Sequence, residues 1–276
     1  MASTTEILEK ILTSPPSAPQ GIAYNYLVPN IRGLETMVKT LQVKGAQASG
    51  YPTPAASPQS EQSPTSTSAS NSSEISLFAA ATETFSQKNT NCSIAESLER
   101  CKPIMELAKQ NNIRVRGYVS VALGCPYEGP DVDPHKVAEI TATLLEMGCD
   151  EVSVADTTGM GTAPRTQKLL QTLKEAGILE EDLALHFHDT YGMALVNTVV
   201  GLEHGVRIFD SSVGGLGGCP YSNVATEDLI HLLHSLGCET GVDMVKMAEI
   251  GDWITKELNR PDDSRAGKAT LARIKG

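Results

Sequence analysis

Residues 133–162 read DPHKVAEITATLLEMGCDEVSVADTTGMGT, and this stretch contains one complete helix–strand unit. Asp133 before Pro134 is an N-cap followed by proline at the first helical position, where a missing N–H costs nothing. Val137, Ile140, Leu144 and Leu145 then recur at helical spacing. Gly148 supplies the left-handed residue that stops the helix. The short β-branched run Glu151–Ala155 follows and ends on Asp156 and a Gly-Thr turn leading to Pro164. A helix that returns the chain to a new strand is the repeating element of a parallel α/β fold.

The same rhythm extends in both directions. Further strands are expected at Ile22–Val28, Ile75–Ala80, Val115–Leu123, Leu183–Phe187 and Val206–Val213. Asn30 heads a helix carrying Leu34, Met37, Val38 and Leu41, and Ser93 with Glu96 forms a capping box ahead of Leu98, Ile104 and Leu107. Gly177, Gly205 and Gly237 stop later helices, and Pro103 is the one residue that would kink its own. Six β/α units in strict alternation predict a parallel sheet, either doubly wound or of the (β/α)₈ TIM-barrel type, and six are two short of a closed barrel. In both architectures ligands sit at the C-terminal ends of the strands. No G-x-G-x-x-G follows the first strand and no Walker A motif occurs, which speaks against nucleotide binding.

The 276 residues are 40% hydrophobic and only 4% aromatic, with 23 glycines, a profile for packed helix–strand layers. A net charge of −11 argues against nucleic acid or an anionic membrane as partner. No run of about 18 apolar residues exists to span a membrane. Six cysteines without a CxxC pair point to a reduced, intracellular compartment rather than a disulfide framework. Residues 46–73, rich in Ser, Pro and Thr, are expected to be a disordered insertion within one domain spanning 1–276.

Four constellations fall at strand ends. In Leu185-His186-Phe187-His188-Asp189-Thr190, the period of two puts His186 and His188 on one face with Phe187 on the other, half of a divalent-metal site beside an acid. The alternative is a pair of structural histidines. In Gly214-Gly-Leu-Gly-Gly-Cys-Pro-Tyr221, glycines such as Gly217 and Gly218 allow the main chain to approach a ligand, and Cys219 rides on the loop, ahead of Asn223 and Glu227. Asp156 ends its strand either to orient a ligand or to form an Asx-type turn. Arg114 and Arg116 either meet an anionic group or are paired internally. His231 and His234 read as surface or packing residues, and Ile250, Trp253 and Ile254 as the packed face of a late helix.

Taken together, NCSIAESLER, VRGYVSVALGCPYEG, ADTTGMGTA, HFHDTYGMALVNT, DSSVGGLGGCPY and NVATEDL resemble the 3-hydroxy-3-methylglutaryl-CoA lyase family over about Ile22 to Asn259. The wider family of metal-dependent Claisen and retro-Claisen barrel enzymes shares the HxH, and the Gly-Gly-Cys-Pro loop points to the lyase branch. The resemblance implies a (β/α)₈ barrel that cleaves its substrate to acetyl-CoA and acetoacetate with Mg²⁺ or Mn²⁺, as in leucine breakdown. It implies His186, His188 and Asn223 as metal ligands and Cys219, Asp156 and Glu227 as catalytic residues; Arg116, Gly217 and Gly218, read from the residues themselves, are expected at the substrate. It also implies an acyl-CoA substrate, a homodimer and a mitochondrial address, although residues 1–19 show no presequence.

The sequence departs from the family in two places. Its first strand aligns with the family's third, so the family's Arg-Asp-Gly strand and a glutamate-bearing strand have no counterpart here. The loop from Cys219 to Asn223 is shorter than the family's. On this reading the 276 residues alone are expected to show at most trace lyase activity and to aggregate. The alternatives left open are a non-catalytic truncated product that retains CoA or metal binding, and a condensing enzyme using acetyl-CoA.

Overall fold

The computed structural model describes residues 4–13, 23–44, 73–217 and 221–275. Helix α1 (Thr4–Thr13) precedes strand β1 (Tyr24–Leu27) and helix α2 (Ile31–Lys44). β2 (Ser73–Ala80) is followed by two helices, α3 (Glu83–Thr90) and α4 (Ile94–Gln110). Strict alternation then runs through β3 (Arg114–Ser120), α5 (Pro134–Glu146), β4 (Glu151–Asp156), α6 (Ala163–Glu175), β5 (Leu183–Phe187), α7 (Ala194–Glu203) and β6 (Ile208–Asp210). Helices α8 (Thr226–Ser235), α9 (Met244–Glu257) and α10 (Arg265–Lys275) follow.

Every strand pairs in parallel with the next one in sequence, in the order β1-β2-β3-β4-β5-β6. A doubly wound sheet reverses its order at a switch point; this one never does, so the winding is that of the TIM barrel, six units long among the described residues. The sheet is curved. On its concave side the Arg116 guanidinium of β3 meets the Asp210 carboxylate of β6, three strands away, at 2.8 Å. The outer face packs beneath the helices, with Phe187, Ile75, Leu185, Ile140, Leu144 and Leu173 fully buried.

The local signals act as their chemistry requires. Gly33 N–H donates to Asn30 Oδ1 at 3.0 Å, Ser93 and Glu96 form both halves of the capping box, and His135 N–H donates to Asp133. Gly148, Gly177, Gly205 and Gly237 all take positive φ, from 80° to 104°. Pro103 lies inside α4.

Some boundaries differ from expectation. β3 stops at Ser120 instead of reaching Leu123 because Val121 adopts φ 56°, a left-handed conformation that turns the chain out of the sheet. β6 is three residues long, since a 3₁₀ turn at Val213–Gly215 takes over. Ser73, assigned to the insertion, opens β2 opposite Tyr24, and residues 46–72 lie outside the described residues. On α9 the packed face is Ala248, Gly251 and Thr255, not Ile250 and Trp253, which are largely exposed. The described cysteines are free thiols, and burial pushes Cys101 up to about 11 and Cys149 to about 12.

Candidate active site

Alternation on the curved wall sends Ser76 and Phe78 of β2, Arg116, Tyr118 and Ser120 of β3, and Ala155 of β4 to the concave side. His186 of β5 joins them, and Thr157 and His188, each one residue past its strand, continue the pattern. They line a cavity of about 450 Å³. A larger one, about 800 Å³, opens at the other end of β3 between α4 and α5. It lies away from the strand mouths, where barrel enzymes carry their chemistry, so the smaller cavity is the candidate site.

The two imidazoles meet as the period of two requires. Nε2 of His186 and Nε2 of His188 stand 3.2 Å apart, while Phe187 is buried on the opposite face. Two nitrogens each about 2.1 Å from one octahedral ion, at right angles, would be separated by about 3 Å, so the pair fits a single divalent cation. His188 is 5% exposed, and burial together with the neighbouring His186 lowers its pKa to about 4. It is therefore neutral at ordinary pH, the form that ligates.

Asn223 sits beside them, because the segment after the glycine loop runs along the end of β5. Val224 N–H donates to Phe187 O, and Asn223 bridges His188. Its amide nitrogen is committed to Leu216 O at 3.0 Å, which leaves the amide oxygen as the donor to a cation. Among the described residues no cluster of three His, Cys, Asp or Glu side chains forms, so the donor set present is two imidazoles and one amide.

The acids are arranged differently from expectation. Asp189, one residue beyond His188, has the opposite parity and turns away: it accepts from Ala194 N–H and lies 3.6 Å from Arg265. The acid that touches an imidazole is Asp210, whose Oδ2 is 3.2 Å from His186 Nδ1. Asp210 opens the motif DSSVGGLGGCPY, where nothing in the local sequence marks it as a histidine partner.

Asp156 is fully buried, and its Oδ2 accepts from Gly161 N–H at 3.0 Å. The concave positions of its segment are Ala155 and Thr157, so Asp156 takes the turn role rather than facing the cavity. Burial raises its pKa to about 6.

Glu227, also fully buried, accepts from Gly214 N–H through both oxygens, at 3.0 and 3.1 Å. It braces the turn that launches the glycine loop and does not line the cavity; burial raises its pKa. Arg116 lines the cavity, but its charge is already matched by Glu151 and Asp210, and the guanidinium lies 5.3 Å from the Tyr118 ring centroid. Gly217 leaves no room for a side chain, since a Cβ there would stand 2.8 Å from Asn223 Nδ2. Gly218 and Cys219 lie outside the described residues.

Sequence reasoning missed the polar lining from Asn25, Ser76, Tyr118, Ser120 and Thr157. For β3 the signal was available in the alternation Arg116-Tyr118-Ser120.

A one-way parallel barrel wall with paired histidines at its mouth defines a class, the HMGL-like family, which matches residues 36–254. The chain belongs to that family. A 3-hydroxy-3-methylglutaryl-CoA lyase of Danio rerio, described as cytoplasmic, is 43% identical over 98% of this chain and 71% of its own. The mitochondrial hydroxymethylglutaryl-CoA lyase of Homo sapiens is 42% identical over 98% and 73%. The crystal structure of hydroxymethylglutaryl-CoA lyase from Pseudomonas aeruginosa matches with a TM-score of 0.81 at 41% identity, covering 99% of this chain and 80% of that one.

Proposed function

We propose that this chain carries the carbon–carbon lyase chemistry of 3-hydroxy-3-methylglutaryl-CoA cleavage, giving acetyl-CoA and acetoacetate. The observation that carries the reading is the convergence of two imidazole nitrogens at a strand mouth in a member of this family. His186, His188 and the amide oxygen of Asn223 would hold Mg²⁺ or Mn²⁺. Bound there, the ion supplies a Lewis acid that eases ionisation of a substrate hydroxyl.

In the reaction the hydroxyl proton passes to a base, the resulting alkoxide collapses to a ketone, and the adjacent C–C bond breaks. Its electron pair leaves as the enolate of acetyl-CoA, which an acid protonates at carbon. Cys219, or a residue it orients, is proposed as that acid on resemblance. Glu227 contributes at a distance, because its grip on Gly214 N–H sets where the loop bearing Cys219 begins. Asp156 contributes in the same way by fixing the Thr157–Thr162 turn, which places Thr157 in the cavity. Leu27 and Phe78, both on the concave side, offer the substrate an apolar wall. A second copy of the chain is proposed as its partner, and a mitochondrial address as its location.

The test is acetoacetate release from 3-hydroxy-3-methylglutaryl-CoA with Mn²⁺ or Mg²⁺. It is run on this chain and on its His186→Ala form. The expected result is a trace of product from the parent that disappears in His186→Ala. No acetoacetate from a folded, Mn²⁺-binding parent would refute the lyase reading. Release of free CoA from acetyl-CoA and a 2-oxo acid would favour a condensing enzyme instead.

A further inference from the structure

Asp210, on the last strand, is the one described acid hydrogen-bonded to either imidazole. A neutral imidazole carries a single proton, and the nitrogen that keeps it cannot ligate a metal. In His186, Nε2 faces His188 and the cavity, while Nδ1 faces Asp210 Oδ2 at 3.2 Å. A carboxylate only accepts, so this contact draws the proton to Nδ1 and leaves the lone pair on Nε2.

The carboxylate is itself held in place. Arg116 Nη1 donates to Oδ1 at 2.8 Å, and Ser153 Oγ–H donates to Oδ2 at 2.9 Å. Arg116 is anchored on its other side by Glu151. The residues that curl the wall, joining β3 to β6, therefore also orient the acid behind the histidine.

We propose that Asp210 is a positioning residue that fixes His186 in the Nδ1–H tautomer, with Nε2 free to take a cation; only the affinity part of its test rests on the metal reading above. Arg116 donates and never accepts. In an Asp210→Asn variant the amide oxygen therefore stays on the guanidinium side, and the amide NH₂ takes the place facing His186. The NH₂ then donates to Nδ1, and the imidazole proton moves to Nε2, where it blocks ligation. The same logic explains why an Asp→Asn change behind a catalytic histidine is damaging despite its near-identical shape.

The experiment uses the full chain labelled with ¹⁵N-histidine, examined without metal by long-range ¹H–¹⁵N correlation at pH 8. His186 should carry its proton on Nδ1 in the parent and on Nε2 in Asp210→Asn. Calorimetric Mn²⁺ titration should give a dissociation constant about 10–100-fold weaker for Asp210→Asn, with the Nδ1–H tautomer and part of the affinity recovered by Asp210→Glu. An Nε2–H tautomer in the parent overturns the inference, and so does an unchanged tautomer in Asp210→Asn. Equal Mn²⁺ affinity in the parent and in Asp210→Asn also overturns it when the parent binds the ion. If Asp210→Asn does not fold, the parent spectrum alone decides. If the tautomers shift as expected but the parent binds no Mn²⁺, the positioning role stands and it is the metal reading that fails.

Discussion

Asp156 has no exposed surface, and one of its oxygens, Oδ1, has no hydrogen-bond partner among the described residues. Water is withheld from a charge that Gly161 N–H only partly compensates, so its proton is held up to about 6 against the usual 3.8. The folded state then binds this proton more tightly than the unfolded state. Stability must therefore fall as pH rises from about 3.8 to about 6 and level off above about 7, a change of about 3 kcal/mol at most. Asp156→Asn has no charge to bury. Measured by urea unfolding from pH 4 to 8, the stability of the parent relative to Asp156→Asn should decline with rising pH. A difference that stays flat would mean the carboxyl is not held above its usual value.

At the same scale, Val121 is a β-branched residue in the left-handed region, while the other described non-glycine residues there are asparagines. Its N–H donates to Thr157 Oγ at 2.8 Å, which ties the strained turn to a cavity residue. Nothing in the local sequence forecasts this, because the conformation is imposed by that tertiary bond.

Among the elements, α10 is capped in part by an acid from another helix. Asp228, buried on α8, accepts from Ser264 Oγ–H at 2.7 Å and from the N–H groups of Arg265 and Ala266. It caps the first turn of α10 from another helix. Asp228→Ala should cost about 1–2 kcal/mol or more, since it orphans these donors together. Hydrogen exchange should show α10 amides losing protection while β2–β5 keep theirs. Unchanged α10 protection would contradict the cap.

Helix α9 makes an equally specific demand. Gly251 packs so closely on Glu227 that an added Cβ would run into Oε1. Gly251→Ala should destabilise the protein by about 1–3 kcal/mol and dislodge the brace on Gly214. Thermal melting checks the first effect, and faster exchange at the Gly214 amide checks the second. This packing also explains why Ile250 and Trp253, expected on the packed face of α9, stand outside it while Ile254 is half-buried. Close approach to the Gly214 turn selects small residues, so Ile250 and Trp253 lie outside the contact.

Across the whole molecule, what sequence showed and what it hid divide by range. The alternating units, the caps and the shared face of His186 and His188 follow from periods of two and 3.6, which are local. The one-way strand order that selects a barrel over a doubly wound sheet appears only on assembly. Asp210 becomes a partner of His186 because β6 pairs with β5 and the wall curls toward Arg116. Asp189, adjacent in sequence, was an attractive acid but has the wrong parity. Asp156 and Glu227, carried over by resemblance, are found to hold loops rather than to face the cavity.

The proposed lyase function depends on His186 and His188 acting together on one cation. Calorimetric titration with Mn²⁺ tests that directly on the parent chain and on His186→Ala and His188→Ala, with circular dichroism to confirm the fold. The parent should bind one ion, and each variant should lose at least an order of magnitude in affinity while keeping the parent spectrum, because both imidazoles project into the cavity rather than into the packed outer layer. Variants that bind Mn²⁺ as the parent does would show that the histidines are structural, and the lyase reading built on them would fall.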